Sequence, residues 1–206
     1  MNAQPHPLPD PKPTQTLQSR HLRIRRMRGE DVPAIMQIES VSFGRHHWNE
    51  DAFLNEMNNH IGRYFSLFDT AGEQPVLIGY GGFWHILDEA HVTTIAVRPD
   101  LRGQALGELL FVCMVEECYR LSVHFVTLEV RASNYSAQNL YYKYGLNSVG
   151  MRPKYYQDNQ EDALIMTSTD ICGEPFRVLY KDCRHKLDKR MNGFPEGFTG
   201  SVLLGG

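Results

Sequence analysis

The stretch VRPDLRGQALGELL, residues 97–110, joins an apolar run to a predicted helix. At that junction stand Arg102, Gly103, Ala105 and Gly107. The first N–H groups of a helix have no partner within the helix and carry a partial positive charge, so small residues there let a phosphate approach the backbone. The same pattern is typical of a tight strand-to-helix turn without a ligand, and this stretch alone leaves both interpretations open.

Two common phosphate-binding loops do not match this stretch. A Walker loop needs Gly-Lys-Ser/Thr, which does not follow here. The dinucleotide fingerprint G-x-G-x-x-G is also absent, and no acidic residue is placed to bind a ribose. The stretch therefore belongs to neither class.

The surrounding chain predicts alternating strands and helices. Strands are predicted, in chain order, for HLRIRRM, YFSLFD, PVLIGYGGFWHI, EAHVTTIAVRP, FVTLEVR, SVGMRPKYY and EDALIMTST. Apolar spacing predicts helices in GEDVPAIMQIESVSF, in WNEDAFLNEM, over residues 105–121 and in SNYSAQNLYYKYG. Strand–helix units followed by a hairpin predict one α/β or α+β domain.

Composition limits the classes of protein to consider. The chain has 206 residues, a formal net charge of −3 and 42% hydrophobic residues, which argues against bulk disorder and against a generic nucleic-acid binder. No apolar run reaches membrane-spanning length, and the start lacks a secretory signal. We expect a soluble, cytoplasmic protein with no membrane partner and no direct nucleic-acid binding.

The cysteines and histidines give no sign of a metal site. Cys113, Cys118, Cys172 and Cys183 form no C-x-x-C pair, and the nine histidines show no metal-ligand spacing. We predict buried free thiols and no metal.

Both ends of the chain differ from its middle. Residues 1–19 carry proline at every second position from Pro5 to Pro13, which predicts an extended, disordered lead before a domain over residues 20–169. In the extension, residues 170–206, a helix is predicted from Pro175, with apolar residues at helical spacing on one face. The other face is basic, with Arg177, Lys181, Arg184, Lys186, Lys189 and Arg190. We favour a docked helix with a solvated basic face over one that meets RNA.

The run TTIAVRPDLRGQALGELL resembles the cofactor motif of the GNAT superfamily of N-acetyltransferases, which reads Arg or Gln, two residues, Gly, any residue, Gly or Ala. Arg102, Ala105 and Gly107 occupy those places. Ala105 replaces the usual glycine, and its methyl is a small obstruction if φ is negative. A second block, TLEVRASNYSAQNLYYKYGLNSVGMRPKYY, resembles the RimI type of ribosomal-protein-alanine N-acetyltransferase. The resemblance covers roughly residues 22–168 and implies the GNAT fold, a mixed central sheet flanked by helices.

The resemblance further implies acetyl-CoA as co-substrate. The N–H groups of residues 102–108 would hold its pyrophosphate, and the backbone of Ile95 and Val97 would pair with its pantetheine arm like an added strand. The predicted cofactor-binding residues are Ile95, Val97, Arg98, Pro99, Arg102, Gly103, Gln104, Ala105, Leu106, Gly107, Glu108 and Asn134. Asn134 is also the expected cap of its helix.

Catalytic roles are implied for two residues. Glu129 could be an ordinary exposed strand carboxylate, but the RimI resemblance makes it the general base that takes the amine proton. Tyr141 could be core packing, as most aromatic residues on short helices are, but the Leu-Tyr motif of the family makes it the acid for the departing thiolate.

The implied substrate is the free α-amine of a protein chain, foremost the N-terminal alanine of a ribosomal protein. Tyr155 and Tyr156 would line one side of its groove, and Glu39 and Trp48 the other. Two alternatives remain open: a GNAT enzyme that acetylates lysine or a small-molecule amine, and a non-catalytic acyl-CoA-binding regulatory module.

Overall fold

Seven strands form the central sheet of the computed structural model, which describes residues 21–43 and 48–195. They are β1 (Leu22–Arg26), β2 (Gly62–Asp69), β3 (Val76–Ile86), β4 (Glu89–Val97), β5 (Phe125–Arg131), β6 (Leu146–Tyr156) and β7 (Glu161–Ser168). Their spatial order is β1-β2-β3-β4-β5-β7-β6. Only β4 and β5 pair in parallel, and the other neighbours are antiparallel.

Five helices cover the sheet: α1 (Val32–Phe43), α2 (Glu50–Asn58), α3 (Leu106–Arg120), α4 (Tyr135–Lys143) and α5 (Glu174–Met191). The side chains of β2 point alternately to the two faces of the sheet, and both faces are buried. Tyr64 and Phe68 pack with residues of α1 and α2, whereas Phe65 and Leu67 pack with residues of α3 and α5. Successive strand residues point to opposite faces, so β2 supplies both cores. The predicted mixed sheet flanked by helices is thus confirmed.

The parallel pair of strands separates part-way along its length. Residues Glu89 to Val92 pair with Phe125 to Leu128, and the pairing ends there although both strands continue. A gap therefore opens between the second half of β4 and the end of β5. The end of β5, beginning at Glu129, and the residues that follow Val92 line this gap.

β4 carries a bulge at the point where the gap begins. Opposite β3, Gly82 pairs with Thr94 and Phe83 pairs with Val92, so Thr93 is an extra residue in β4. A bulge interrupts the regular ladder and bends its strand. The Thr93 hydroxyl donates a hydrogen bond to the Gly82 carbonyl at 3.2 Å, which ties the bulge to β3.

The predicted C-terminal helix is present as α5, and it docks on the rest of the fold. Phe176, Tyr180, Cys183, Leu187 and Met191 are buried in the same core as α3. The thiol prediction is wrong for one cysteine, because Cys172 is exposed in the turn before α5, whereas the other three are buried.

The two ends of the chain lie largely outside the part that the structure describes. The predicted lead, residues 1–19, and the end of the extension lie outside the described residues. The predicted boundaries of the domain and of the extension, at residues 20, 169 and 206, therefore stay predictions. Among the described residues, no helix is long and apolar enough to cross a membrane.

Candidate functional site

The turn between β4 and α3 adopts an unusual backbone conformation. A short 3₁₀ turn, Pro99–Leu101, is followed by Gly103 with φ +78° and Ala105 with φ +61° and ψ +11°. The Ala105 methyl was expected to be a small obstruction if φ is negative, and this condition is not met. A left-handed conformation costs a residue with a Cβ about 1–2 kcal/mol, a cost that a glycine at this position avoids.

The backbone of this turn is open to a ligand. Of the N–H groups expected to be available, that of Arg102 is not, because it donates to the Pro99 carbonyl at 3.3 Å. No residue within 21–43 or 48–195 accepts a hydrogen bond from the N–H groups of residues 103–108. A Cβ placed on Gly103 would meet nothing within 4 Å, and one on Gly107 would meet only Val97 Cγ2, at 4.0 Å. Unpartnered N–H groups at a helix N-terminus form the arrangement that holds phosphate in many proteins.

The two arginine side chains around the turn already form hydrogen bonds or ion pairs within the protein. Arg102 donates from Nε to the Val97 carbonyl at 3.3 Å and from Nη2 to Ser42 Oγ at 3.0 Å, which fastens the turn to β4 and α1. Arg98 pairs with Asp100 at 2.7 Å. Arg102 therefore positions the backbone and does not extend into the open side of the turn.

Glu108 lies in the first turn of α3, where its negative charge would oppose a bound phosphate. Its Oε1 accepts hydrogen bonds from Tyr144 Oη at 2.7 Å and from Lys143 Nζ at 2.5 Å. These two contacts point the carboxylate toward α4 and offset its charge. The pKa of Tyr144 is raised, chiefly by burial and also by the contact with Glu108.

The free edge of β4 faces the gap. Arg98 donates its N–H to the Ile78 carbonyl of β3 at 2.9 Å. Because backbone groups of alternate strand residues point to opposite edges, those of Ile95 and Val97 point away from β3 and toward β5. The gap thus exposes an unpaired strand edge that leads to the turn before α3.

Glu129 is the first residue of β5 beyond the last pair with β4. Its Oε2 lies 2.7 Å from His91 Nε2, and its Oε1 accepts a hydrogen bond from Arg152 Nε at 3.0 Å. The Glu129 side chain is 9% exposed, whereas that of Arg152 is 53% exposed. A nearly buried carboxylate with two partners, at the vertex of the gap, is the main candidate for proton transfer at this site.

Tyr141 lies on the other side of the same region, on α4. Its ring packs edge-on against Phe111 with centroids 5.4 Å apart, and its hydroxyl has no hydrogen-bond partner among the described residues. Burial raises the pKa of Tyr141, and the neighbouring Tyr156 adds to the increase. The phenol is therefore protonated at neutral pH and able to donate.

Tyr156, the last residue of β6, interacts electrostatically with both Glu129 and Tyr141. Burial, more than the nearby Tyr155 and Glu129, raises its pKa to about 12, although Arg131 acts in the opposite direction. The Arg131 guanidinium lies over its ring at 3.9 Å. The charge of Glu129 contributes to the raised pKa of Tyr156, and Tyr156 in turn contributes to the raised pKa of Tyr141. Tyr155 beside it is 46% exposed.

Glu39 was expected, with Trp48, to line the side of the substrate groove opposite Tyr155 and Tyr156, and its surroundings in the structure are different. This glutamate is buried in α1, and its Oε1 accepts a hydrogen bond from the Trp48 N–H at 3.1 Å. Trp48 packs against Phe53 and Tyr64, with centroids 5.2 and 6.4 Å apart. Glu39 therefore holds the segment that begins at Trp48 and does not line an open surface.

Asn134 caps α4, as expected. Its Oδ1 accepts a hydrogen bond from the Ala137 N–H at 3.1 Å, which leaves its amide nitrogen for other contacts.

A polar network beside the gap was not predicted from the sequence. Glu56 Oε2 accepts hydrogen bonds from Trp84 Nε1 at 2.6 Å and from Tyr64 Oη at 3.1 Å, and Tyr64 Oη also lies 3.1 Å from Thr93 Oγ1. The Trp84 ring is 6.0 Å from that of His91. Apart from Glu56 on α2, the residues missed, His91 and Arg152 included, lie on strands, and the strand register brings them together.

One group of possible metal ligands occurs among the described residues. His124, Asp170 and Cys172 are exposed and offer ligand atoms within 4.8 Å of one another. Hydrogen bonds account for their arrangement, because Asp170 Oδ1 lies 3.1 Å from His124 Nδ1 and accepts from the Cys172 N–H at 2.9 Å. The expectation of no metal stays a prediction.

Comparison with known proteins places this geometry in a family. Residues 32–146 match the model of the Acetyltransferase (GNAT) family. The chain is 42% identical over 146 residues, 71% of its length and 94% of the relative's, to a protein of Bacillus subtilis (strain 168) provisionally named a ribosomal protein bS18-alanine N-acetyltransferase. It is 36% identical to the Salmonella typhimurium ribosomal protein bS18-alanine N-acetyltransferase, with 66% of this chain and 89% of that one covered.

A solved structure supports the same assignment. The crystal structure of the ribosomal-protein-S18-alanine N-acetyltransferase from Escherichia coli superposes with a TM-score of 0.64 at 31% identity, covering 74% of this chain and 97% of that one. The open turn, the gap between β4 and β5 and the nearly buried glutamate thus occur in a chain that belongs to the Acetyltransferase (GNAT) family and is an N-acetyltransferase.

Proposed function

We propose that the chain is an acetyl-CoA-dependent Nα-acetyltransferase of protein N-termini, and that its substrate is the N-terminal alanine of a ribosomal protein. The observation that carries the proposal is the position of Glu129 at the vertex of the gap between β4 and β5. The names of the bacterial relatives support the substrate, since each acts on, or is named for, a ribosomal protein alanine. A cytoplasmic location follows from such a substrate.

The residues around the gap fit acetyl-CoA. The unpartnered N–H groups of residues 103–108 would hold the pyrophosphate. The free backbone groups of Ile95 and the N–H of Val97, whose carbonyl is bound by Arg102, would bind the pantetheine arm along β4. Acetyl-CoA supplies the acetyl group as a thioester. Bound in this way, the arm would lead from the turn before α3 toward Glu129.

Glu129 would act as the general base. An α-amine has a pKa near 8, so the amine is largely protonated at neutral pH and must lose a proton before it attacks. Glu129 accepts that proton, while His91 fixes the carboxylate through Oε2. Arg152 is half-exposed and bound through a single nitrogen, so an entering amine can displace it from Oε1.

Tyr141 would act at the departing sulfur. The amine nitrogen forms a bond to the acetyl carbon, the carbon–sulfur bond breaks, and the phenol gives a proton to the sulfur. Because burial raises the pKa of Tyr141, hydrogen-bond donation to the developing thiolate is the first part of its role. The nitrogen, which still carries one proton too many for an amide, then loses it, and water passes that proton to the phenolate. Water also takes the proton held by Glu129, so the net products are the amide, the CoA thiol and one proton.

The substrate would enter beside the hairpin of β6 and β7. Tyr155 and Tyr156 offer ring faces and hydroxyl groups on one side, and Trp48 lies on the other. The acidic side chain of Glu56 near this entrance suits a substrate whose later residues are basic.

The test compares two peptides after incubation with acetyl-CoA, read by mass spectrometry. One begins Ala-Arg with a free α-amine, and the other has the same sequence with a blocked α-amine and an added lysine. We expect acetylation of the first peptide at its α-amine. Faster modification of the blocked peptide would favour the lysine alternative, and binding of acetyl-CoA without any transfer would favour the non-catalytic module.

A further inference from the structure

α5 runs antiparallel to α3 and reaches the turn before it. In the middle of the two helices, Tyr180 Oη donates a hydrogen bond to Glu116 Oε1 at 2.9 Å. Ten residues later along α5, Arg190 Nη2 donates to the Gly103 carbonyl at 3.1 Å. The C-terminal end of α5 therefore lies beside the open turn at the N-terminus of α3.

The contact fixes the orientation of the peptide group between Gly103 and Gln104. Gly103 has φ +78° and Ala105 has φ +61°, so the peptide between Gly103 and Gln104 follows one left-handed residue and is separated from another by Gln104. The orientation of this peptide is set by ψ of Gly103 and φ of Gln104, and the missing Cβ of Gly103 leaves that ψ little restricted, so an outside contact can select it. In a trans peptide the C=O and N–H point in opposite directions, so holding the Gly103 carbonyl toward α5 aims the Gln104 N–H away from it.

We propose that Arg190 is a positioning residue for the CoA pyrophosphate, and that α5 is thereby part of the cofactor site. Arg190 orients the Gln104 N–H toward the phosphates and adds a positive charge beside the turn. The inference rests on the proposed acetyl-CoA site and assigns to it an element outside the matched family region, residues 32–146.

The ordinary role of a basic residue in a last helical turn does not account for this contact. Lys and Arg near a helix C-terminus interact favourably with the helix dipole, and Lys189 is in the same turn of α5. Arg190 instead donates to a carbonyl of another segment, 87 residues earlier in the chain. Lys189 is therefore the matched control, since it carries the same charge without that contact.

The experiment measures CoA and dephospho-CoA dissociation constants by calorimetry for the full chain and three variants. For Arg190→Met, loss of one charge-assisted hydrogen bond should raise both constants by about tenfold. Arg190→Lys keeps the charge and should recover part of the affinity, and Lys189→Met should stay within about twofold of the original chain. In turnover assays, Arg190→Met should raise KM for acetyl-CoA without changing kcat.

The outcomes separate this inference from the proposed function. Unchanged binding by Arg190→Met, or an equal loss in Lys189→Met, would overturn the role of Arg190 while acetylation by the original chain persists. If Arg190→Met bound CoA more weakly but dephospho-CoA as before, the inference would also be overturned. That result would show that Arg190 contacts the 3′-phosphate instead of positioning the pyrophosphate. Failure of the original chain to bind CoA would overturn the proposed cofactor site itself, and this inference with it. Since Arg190 is exposed, thermal unfolding of the ligand-free variant should match the original chain.

Discussion

At the scale of single residues, the surroundings of Glu129 decide what its carboxylate can do. One oxygen is held by His91 and the other by Arg152, and the side chain is almost fully shielded from water. A base in this setting is fixed in orientation, which favours proton transfer to a substrate that arrives in one geometry. In the proposed mechanism, the amine enters from the side of the exposed partner, Arg152.

Replacing Glu129 by Gln tests this role. The amide keeps the shape of the side chain but cannot accept a proton, so kcat should fall by about 10²-fold or more with little change in the affinity for acetyl-CoA. Steady-state kinetics with calorimetry measure both quantities. Glu73→Gln, in the exposed turn between β2 and β3, is the control for loss of one negative charge, and near-normal turnover by Glu129→Gln would retire the assignment.

Replacing Tyr141 by Phe isolates one hydroxyl. Because that hydroxyl contacts no described residue through a hydrogen bond, the thermal midpoint should change little while kcat falls by about 10²-fold. Burial raises the pKa of the phenol above its ordinary value, so its ionisation should cause no loss of kcat below pH about 10. A pH–rate profile of the original chain that falls near pH 8 and flattens in Tyr141→Phe would contradict this.

At the scale of elements, one arginine shapes the hairpin that would cover a peptide. Arg131, at the end of β5, donates to Asp158 at 2.7 Å and to Glu161 at 3.3 Å, and its guanidinium lies on the Tyr156 ring. Glu161 also accepts the Ser133 N–H at 2.7 Å. Hydrogen bonding from Ser133, first from its side chain and then from this N–H, lowers the pKa of Glu161 to about 2, and Arg131 contributes less. These contacts tie the β6–β7 turn to the start of α4.

Arg131→Leu should loosen that turn without touching the turn before α3. We expect KM for an Ala-Arg peptide to rise by roughly three- to tenfold as one charged anchor is lost, with KM for acetyl-CoA unchanged. Lys181→Leu, on the exposed face of α5, controls for the loss of a cation. An equal rise in both KM values would mean that Arg131 supports the whole site and not the hairpin.

Elements were predictable from the sequence to the extent that they depend on local spacing. The seven strands and five helices occur in the predicted order, because apolar alternation and helical periodicity are local properties. The contact of His91 with Glu129 was not predictable in the same way. It depends on the register that sets His91 opposite Thr127, two residues before Glu129, and that register forms between distant segments. The left-handed Ala105 was missed because an alanine gives no signal for positive φ.

At the scale of the whole molecule, α5 is continuous with the core and not an appendage. Its buried residues pack with α3, and Tyr144 and Tyr180 lie with centroids 6.1 Å apart. Burial and the contact with Glu116 raise the pKa of Tyr180. The helix that brings Arg190 to the turn before α3 is therefore held in place by the same apolar packing that stabilises the domain.

Two leucines of α5 test this dependence. Leu187 is 1% exposed and Leu179 is 37% exposed, so the same truncation to alanine should have unequal effects. Leu187→Ala should lower the free energy of unfolding by about 2–5 kcal/mol, because it removes buried methyl groups and leaves a cavity, whereas Leu179→Ala should cost less than half as much. Urea denaturation measures both. If α5 were only an attached tail, both variants would unfold at the same urea concentration as the original chain. In that case Leu187→Ala would also bind CoA with unchanged affinity at urea concentrations where the variant has begun to unfold.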